Sequence, residues 1–140
     1  MEQHSLEALK ELHASARDAK VKKLFSHHQD ETKEQIAKLE KVFEIFEFDV
    51  TTAPSQATTG IKNQASSLLE KSDTSLHDQI TLVSALGNEH FEIASYQGRI
   101  ASARTLQAID AVQLLQENLD QETHTSEELL STLNDLLGVS

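Results

Sequence analysis

The stretch Asp49-Val-Thr-Thr-Ala-Pro54-Ser-Gln-Ala-Thr-Thr-Gly60-Ile-Lys-Asn-Gln-Ala65-Ser-Ser-Leu-Leu-Glu70-Lys-Ser-Asp-Thr74 joins two long amphipathic segments, and its length decides how they can be arranged. From Asp49 to Gln56 it reads as a loop around Pro54, because proline removes a backbone donor and disfavours helix at the residue before it. Ile61, Ala65, Leu68 and Leu69 then recur at helical spacing and predict a short amphipathic helix from about Ile61 to Glu70. Asp73 or Thr74 is placed to cap the helix that follows. A connection this long can cross a bundle from end to end and return the chain in its original direction, whereas a tight turn only reverses it.

The segments on either side carry apolar residues with a period of about 3.6. Upstream, a first helix runs to about Ser15 on Leu6, Leu9 and Leu12, with Ala16 continuing the stripe. A second runs from about Asp18 to Glu47 on Val21, Leu24, Phe25, Leu39, Val42, Phe43 and Phe46. Downstream, a third long helix spans about Ser75 to Arg104 on Leu76, Ile80, Val83, Leu86, Ile93 and Ile100. The fourth spans about Ala108 to Leu137 on Ile109, Val112, Leu115, Leu119, Leu130, Leu133 and Leu137, and Gly138 sits where a helix stop belongs. Only a few residues join first to second and third to fourth, so each pair is an antiparallel hairpin. Two hairpins linked by one long crossover predict an all-α, ferritin-like four-helix bundle, a single domain over residues 1–140.

Composition narrows the function classes. Four glycines and one proline in 140 residues leave little room for a β-sandwich or barrel, which needs frequent turns. The absence of cysteine removes disulfides, thiolate catalysis and cysteine-containing zinc sites. A net charge of -11 argues against nucleic acid as a partner, and the one basic cluster, Lys20, Lys22 and Lys23, is too small to offset it. No apolar run approaches the roughly 20 residues of a membrane span, and the N-terminus lacks a signal-peptide core, so a cytoplasmic protein with no membrane partner is expected.

What interrupts the apolar stripes is informative. On the second helix His28, Thr32 and Gln35 fall within the inward arc, with Glu31 at its margin. On the fourth, Glu122 and Ser126 occupy the line defined by Leu115, Leu119, Leu130 and Leu133. Glu2 shares the face of Leu6 and Leu9. On the third helix His90 points along the stripe, with Glu89 on its flank and Glu92 further round. Glu2 and Glu31 lie at matching distances on either side of the first hairpin turn, and Glu92 and Glu122 on either side of the second. Carboxylates from all four helices thus converge at mid-bundle. An unpaired carboxylate in an apolar interior costs several kcal/mol, so such a layer needs protons, cationic partners or a metal ion. Bundle-core carboxylates with nearby histidine suit iron or manganese; a hydrated polar network that fixes helix register is the alternative.

Two segments, His28-Gln-Asp-Glu31-Thr32-Lys-Glu-Gln35 and Asn88-Glu89-His90-Phe91-Glu92-Ile93-Ala94-Ser95-Tyr96, resemble the signatures of the YciE/YciF-type ferritin-like family. That family carries His-x-x-Glu-Thr-x-x-Gln in its second helix and Glu-His-x-Glu-Ile-Ala-x-Tyr in its third. Leu119-Asp-Gln-Glu122-Thr resembles its fourth-helix Leu-x-Glu-Glu, and Met1-Glu2-Gln3 its first-helix Ala-Glu. The resemblance covers nearly the whole chain. It implies a ferritin-like bundle, dimeric, associated with bacterial stress responses and with metal binding. Departures are visible: family chains begin their first helix several residues earlier, and Ser126 stands where an aspartate is frequent. The Glu-x-x-His pairs of di-iron ferritin-like proteins are absent, replaced by His28-x-x-Glu31 and Glu122-x-x-Thr125.

Two functions follow. One is a non-haem protein binding iron or manganese, at a single-metal or di-metal site, that handles peroxide or O₂. Its metal donors would be Glu2, Glu31, Glu89, Glu122, His28, His90 and Glu92, supported by Gln35, Tyr96 and Ser126. The other is a metal-free interaction bundle whose polar layer sets register and homodimer pairing. Tyr96, one turn past Glu92, either bonds a carboxylate or simply packs. No Gly-rich phosphate loop or Ser-His-Asp arrangement supports a kinase or hydrolase.

Overall fold

Asp18 ends the first hairpin turn by accepting hydrogen bonds from the backbone N–H groups of Lys20 (2.7 Å) and Val21 (3.2 Å), which starts the second helix. In the computed structural model, which describes residues 1–139, the helices are α1 Glu2–Ser15, α2 Ala19–Ile45, α3 Gln56–Lys71, α4 His77–Thr105 and α5 Ile109–Leu137. A single 3-10 turn, Thr74–Leu76, leads into α4 and is capped by Asp73. No strand forms among the described residues. No helix among them is long and apolar enough to cross a membrane.

Two apolar clusters fix the directions of the long helices. One joins Leu9 and Leu12 late in α1, Val21 and Phe25 early in α2, Leu82 and Ala85 early in α4, and Leu129 late in α5. The other joins Met1 just before α1, Leu39 and Val42 late in α2, Tyr96, Ile100 and Ala103 late in α4, and Ala111 and Leu115 early in α5. Hence α2 and α4 run parallel, as the long connection predicts, and α1 and α5 run opposite to both. The α1 helix packs against α2 and α4, and α5 packs against the same two, so α2 and α4 lie across the bundle from each other. Outside this ring α3 covers the α1–α4 side. The Asp78 carboxylate of α4 accepts the backbone N–H of Arg17 at 2.6 Å, pinning the α1–α2 turn to the start of α4.

Two expectations change. The crossover helix begins before Ile61, because Ser55 caps it (its Oγ accepts the Thr58 N–H at 3.3 Å) and buried Thr58 extends its packed face by a turn. A count of apolar residues alone misses a threonine in that position. The face of α4 is also rotated from the expected stripe. Leu82, Ala85, Asn88, Glu89, Glu92 and Tyr96 are buried, whereas Leu76 and Val83 are exposed and Ile80, Leu86 and Ile93 are half-buried. The reason is that α4 has partners on more than one side: Asn88, Glu89 and Glu92 face the bundle interior, while Ile80 and Val83 line a groove shared with α3 and the end of α5.

Candidate metal centre

Each long helix turns a run of polar residues inward at spacings of three and four, which place them on one helical face. These are Glu2 and Ser5 on α1, His28, Thr32 and Gln35 on α2, Asn88, Glu89 and Glu92 on α4, and Asn118, Glu122, Thr125 and Ser126 on α5, all buried. Together they form a layer between the two apolar clusters.

The layer is partly wired by its own hydrogen bonds. His28 Nε2 lies 2.8 Å from Glu89 Oε1, and its Nδ1 lies 3.5 Å from Glu31 Oε2. Thr125 Oγ1 donates to the same Glu31 oxygen at 3.2 Å. The Tyr96 hydroxyl donates to Glu2 Oε1 at 2.6 Å and accepts from Asn118 Nδ2 at 3.1 Å. Ser5 Oγ donates to Glu92 Oε1 and accepts from Asn88 Nδ2 at 3.0 Å. Other buried polar atoms have no partner among the described residues: Glu2 Oε2, Glu89 Oε2, both oxygens of Glu122, and both amide atoms of Gln35.

Burial decides the protonation of these groups. Desolvation raises the carboxyls of Glu2 and Glu92, and each is raised further by carboxylate neighbours; for Glu92 the rise is large. Glu122 is pushed far up by burial and by Glu89 beside it. Burial acts most strongly and lowers His28, but Glu89, Glu31 and Glu92 together outweigh it and raise the imidazole from 6.5 to about 10. The Tyr96 phenol is raised by burial and by Glu2, so it stays protonated and can only donate to that carboxylate. Without another cation, the layer is therefore held by His28 as imidazolium and by protons on the deepest carboxyls.

The same atoms form two donor groups that share a member. His28, Glu89 and Glu122 can each offer a ligand atom, all within 4.8 Å of one another, and so can Glu2, Glu92 and Glu122. The donor chemistry fits a hard or borderline divalent cation: carboxylate oxygens, one imidazole, and no thiolate. The orphaned oxygens of Glu122, Glu2 and Glu89 are the sites a cation would fill.

The structure separates the sequence candidates. It brings Glu2, His28, Glu89, Glu92 and Glu122 together, with Tyr96 donating to Glu2. Glu31 remains at the margin, half-buried, near His28 and Thr125 rather than opposite Glu2. His90 is exposed, which corrects the expectation that it points along the inward stripe; the rotated face of α4 turns Glu89 and Glu92 inward instead. Gln35 is buried beside Asn118, whose Nδ2 donates to the Gln35 backbone carbonyl at 3.2 Å. Ser126 is buried but donates to the carbonyl of Thr123, within its own helix. Ser5, Asn88 and Asn118 escaped sequence reasoning. Their signal was present in the spacing: Asn118 stands four before Glu122, and Ser5 three after Glu2.

The architecture is that of a ferritin-like bundle with a buried carboxylate–imidazole layer at its middle. The chain belongs to the family described as Domain of unknown function (DUF892), whose model matches residues 1–138. It is similar to Protein YciF of Escherichia coli strain K12, 28% identical over 120 residues, which cover 84% of this chain and 72% of that protein. The crystal structure of the E. coli stress protein YciF superposes with a TM-score of 0.91 at 26% identity, covering 99% of this chain and 89% of that one. YcfI of Rhodopseudomonas palustris, provisionally described as structural, superposes with a TM-score of 0.86 at 29% identity over 91% of this chain and 82% of its own.

Proposed function

We propose that this chain is a ferritin-like non-haem metal-binding protein that holds iron or manganese in the carboxylate layer and serves redox handling of peroxide or O₂ under stress. The observation that carries the reading is Glu122: 0% exposed, common to both donor groups, and held in the metal-free chain only by a proton it shares with Glu89. Two groups sharing one carboxylate are compatible with one ion or two. Similarity to a protein named a stress protein supports the setting. When bound, iron or manganese supplies one-electron redox chemistry. The chain's own part is to orient donors: Tyr96 holds Glu2, Ser5 holds Glu92, and Glu31 holds the far nitrogen of His28. Loading also requires the protons on Glu2, Glu92 and Glu122 to leave.

A metal-free bundle is the second reading. It is favoured by the His28–Glu89 pair and the Tyr96–Glu2 and Ser5–Glu92 bonds, which satisfy part of the layer internally. That reading makes Glu122 a protonated carboxyl bonded to Glu89, and gives no use to its place in both donor groups.

Thermal melts separate the two. In the metal reading, Fe(II) or Mn(II) added to protein stripped with EDTA stabilises it by about 2.7 kcal/mol at a hundredfold excess over Kd. Glu122→Gln abolishes that response, yet the metal-free variant is as stable as wild type or more so, because a neutral amide replaces a carboxyl that burial forces to keep its proton. Glu31→Gln retains the response in weakened form. A wild-type melting temperature indifferent to every divalent metal would leave the second reading standing.

A further inference from the structure

Every donor in the two groups of the layer is buried, so an ion needs a first stop nearer the surface, and the structure offers one where α2 meets α5. Glu31, half-buried, touches both sides of that boundary. Its Oε1 lies 3.5 Å from Nε2 of His27, whose side chain is 62% exposed, and its Oε2 lies 3.5 Å from Nδ1 of buried His28. The other nitrogen of His28 meets Glu89 inside the layer at 2.8 Å. His27, Glu31, His28 and Glu89 thus form a continuous series of donor side chains from solvent to the layer. On α5 His124 and Glu128 repeat the outer pair, 3.6 Å apart, and His27, His124 and Glu128 line one groove between the two helices. Thr125, the residue after His124, ties the two sides together by donating to Glu31 at 3.2 Å.

We propose that the His27–Glu31 and His124–Glu128 pairs form a surface capture site for a divalent transition-metal cation, from which Glu31 passes the ion inward. The inference rests on the metal-binding reading above and adds the route by which the layer is filled. Spacing supports it. Each pair stands four residues apart, which puts imidazole and carboxylate on one helical face, as in helices that chelate ions. Two donors about 2.1 Å from one ion at a tetrahedral angle are about 3.4 Å apart. The observed 3.5 and 3.6 Å are close to that separation and too long for a good hydrogen bond. Ligand type selects the ion, since imidazole beside carboxylate favours a first-row transition metal over magnesium, whose ligands are oxygens. Charge disfavours the other approach. The groove beside Glu2 holds Arg99, whose guanidinium lies 5.6 Å over the Tyr96 ring and repels an incoming cation. In the α2–α5 groove Lys20 is paired with Asp135 at 2.7 Å, which leaves Lys23 outnumbered by Glu127 and Glu128.

The test begins with Mn(II) added to the Glu122→Gln variant, in which the layer no longer takes the ion, and followed by NMR. Saturable paramagnetic broadening is expected at the ring resonances of His27 and His124, and excess Mg(II) should leave it in place. No broadening there, or broadening that Mg(II) removes, would overturn the capture site. The second measurement follows filling of the layer. Tyr96 is the chain's one tyrosine and there is no tryptophan, so its fluorescence reports on the layer. Mn(II) should quench it in wild type. His27→Gln combined with His124→Gln should slow that quenching about tenfold, equal to roughly 1.4 kcal/mol of added barrier, and leave its final extent unchanged. Both side chains are mostly exposed, at 62% and 64%, so the fold is retained. At about pH 7.5, above the ordinary histidine range, the substitutions remove ligands and little charge. An unchanged rate would overturn the route. Failure of Mn(II) both to quench Tyr96 and to raise the melting temperature of wild type would sink the metal reading, while the histidine broadening in Glu122→Gln judges the capture site independently.

Discussion

At the scale of single residues, burial pushes the charges of the layer in one direction with respect to pH. Glu2, Glu92 and Glu122 are raised above 4.5, so they keep protons in the folded chain that they lose in the unfolded one. What they contribute is fully present below 4.5 and is lost as pH rises toward their folded values. His28 has the same sign: its contribution is present below 6.5 and disappears as pH rises through about 10. Glu31, lowered despite its burial by His28 and His27, acts oppositely but is only partly buried. Melts in EDTA should therefore show a melting temperature that falls as pH rises above about 5. With saturating metal the increment should instead grow with pH, since ligands must shed protons to bind. A metal-free profile that climbs through neutrality would contradict the protonation pattern. Much of this layer was legible, because His28, Gln35 and Glu122 interrupt otherwise apolar arcs. His90 misled because it was phased against Val83 and Leu86, which belong to the flank of α4 rather than to its axis-facing side. Ser5, Asn88 and Asn118 offered spacing alone, and a small polar residue beside a carboxylate looks the same whether it faces water or the core.

At the scale of elements, the α4–α5 turn stores removable strain. Gln107 adopts φ 55, the left-handed region, while the Ala108 N–H bonds the Ala103 carbonyl at 3.1 Å. A side chain in that conformation costs on the order of 1 kcal/mol relative to glycine. Gln107→Gly should raise stability by about that amount, a shift of roughly 3 °C in a chain of this size, read by thermal melts at fixed pH. The same conformation at Glu47, φ 56, closes α2 two residues beyond its last helical residue and turns the chain into the crossover. Element boundaries were legible where a cap or a proline marks them. The start of α3 was not, since its first packed residue is Thr58.

At the scale of the whole molecule, connection lengths alone made the topology legible: two short turns and one crossover admit parallel α2 and α4. Assembly is a separate question, posed by side chains left outside the core. Phe48, Leu106 and Ile109 are 68%, 66% and 71% exposed, and Phe46 stacks on Phe48 with centroids 6.3 Å apart. Phe46, Phe48 and Leu106 line one groove between the end of α2 and the end of α4. We propose that this end pairs with a second copy. Light scattering should report about twice 15.5 kDa at micromolar concentration, and Phe48→Glu should shift the mass toward one chain. A mass of 15.5 kDa throughout that range would remove the claim.

The polar layer also splits the hydrophobic interior into two clusters, one around Phe25 and Leu82 and the other around Ile100 and Leu115. Where packing is interrupted by groups held in place by protons, the halves of a fold can lose order separately. The metal-free chain should then melt with a calorimetric enthalpy larger than the van't Hoff value, and amide exchange should divide along the same waist. Cations gripped from all four long helices would couple the halves and bring that ratio back toward unity, so that occupancy sets how cooperatively the molecule unfolds as well as how stable it is.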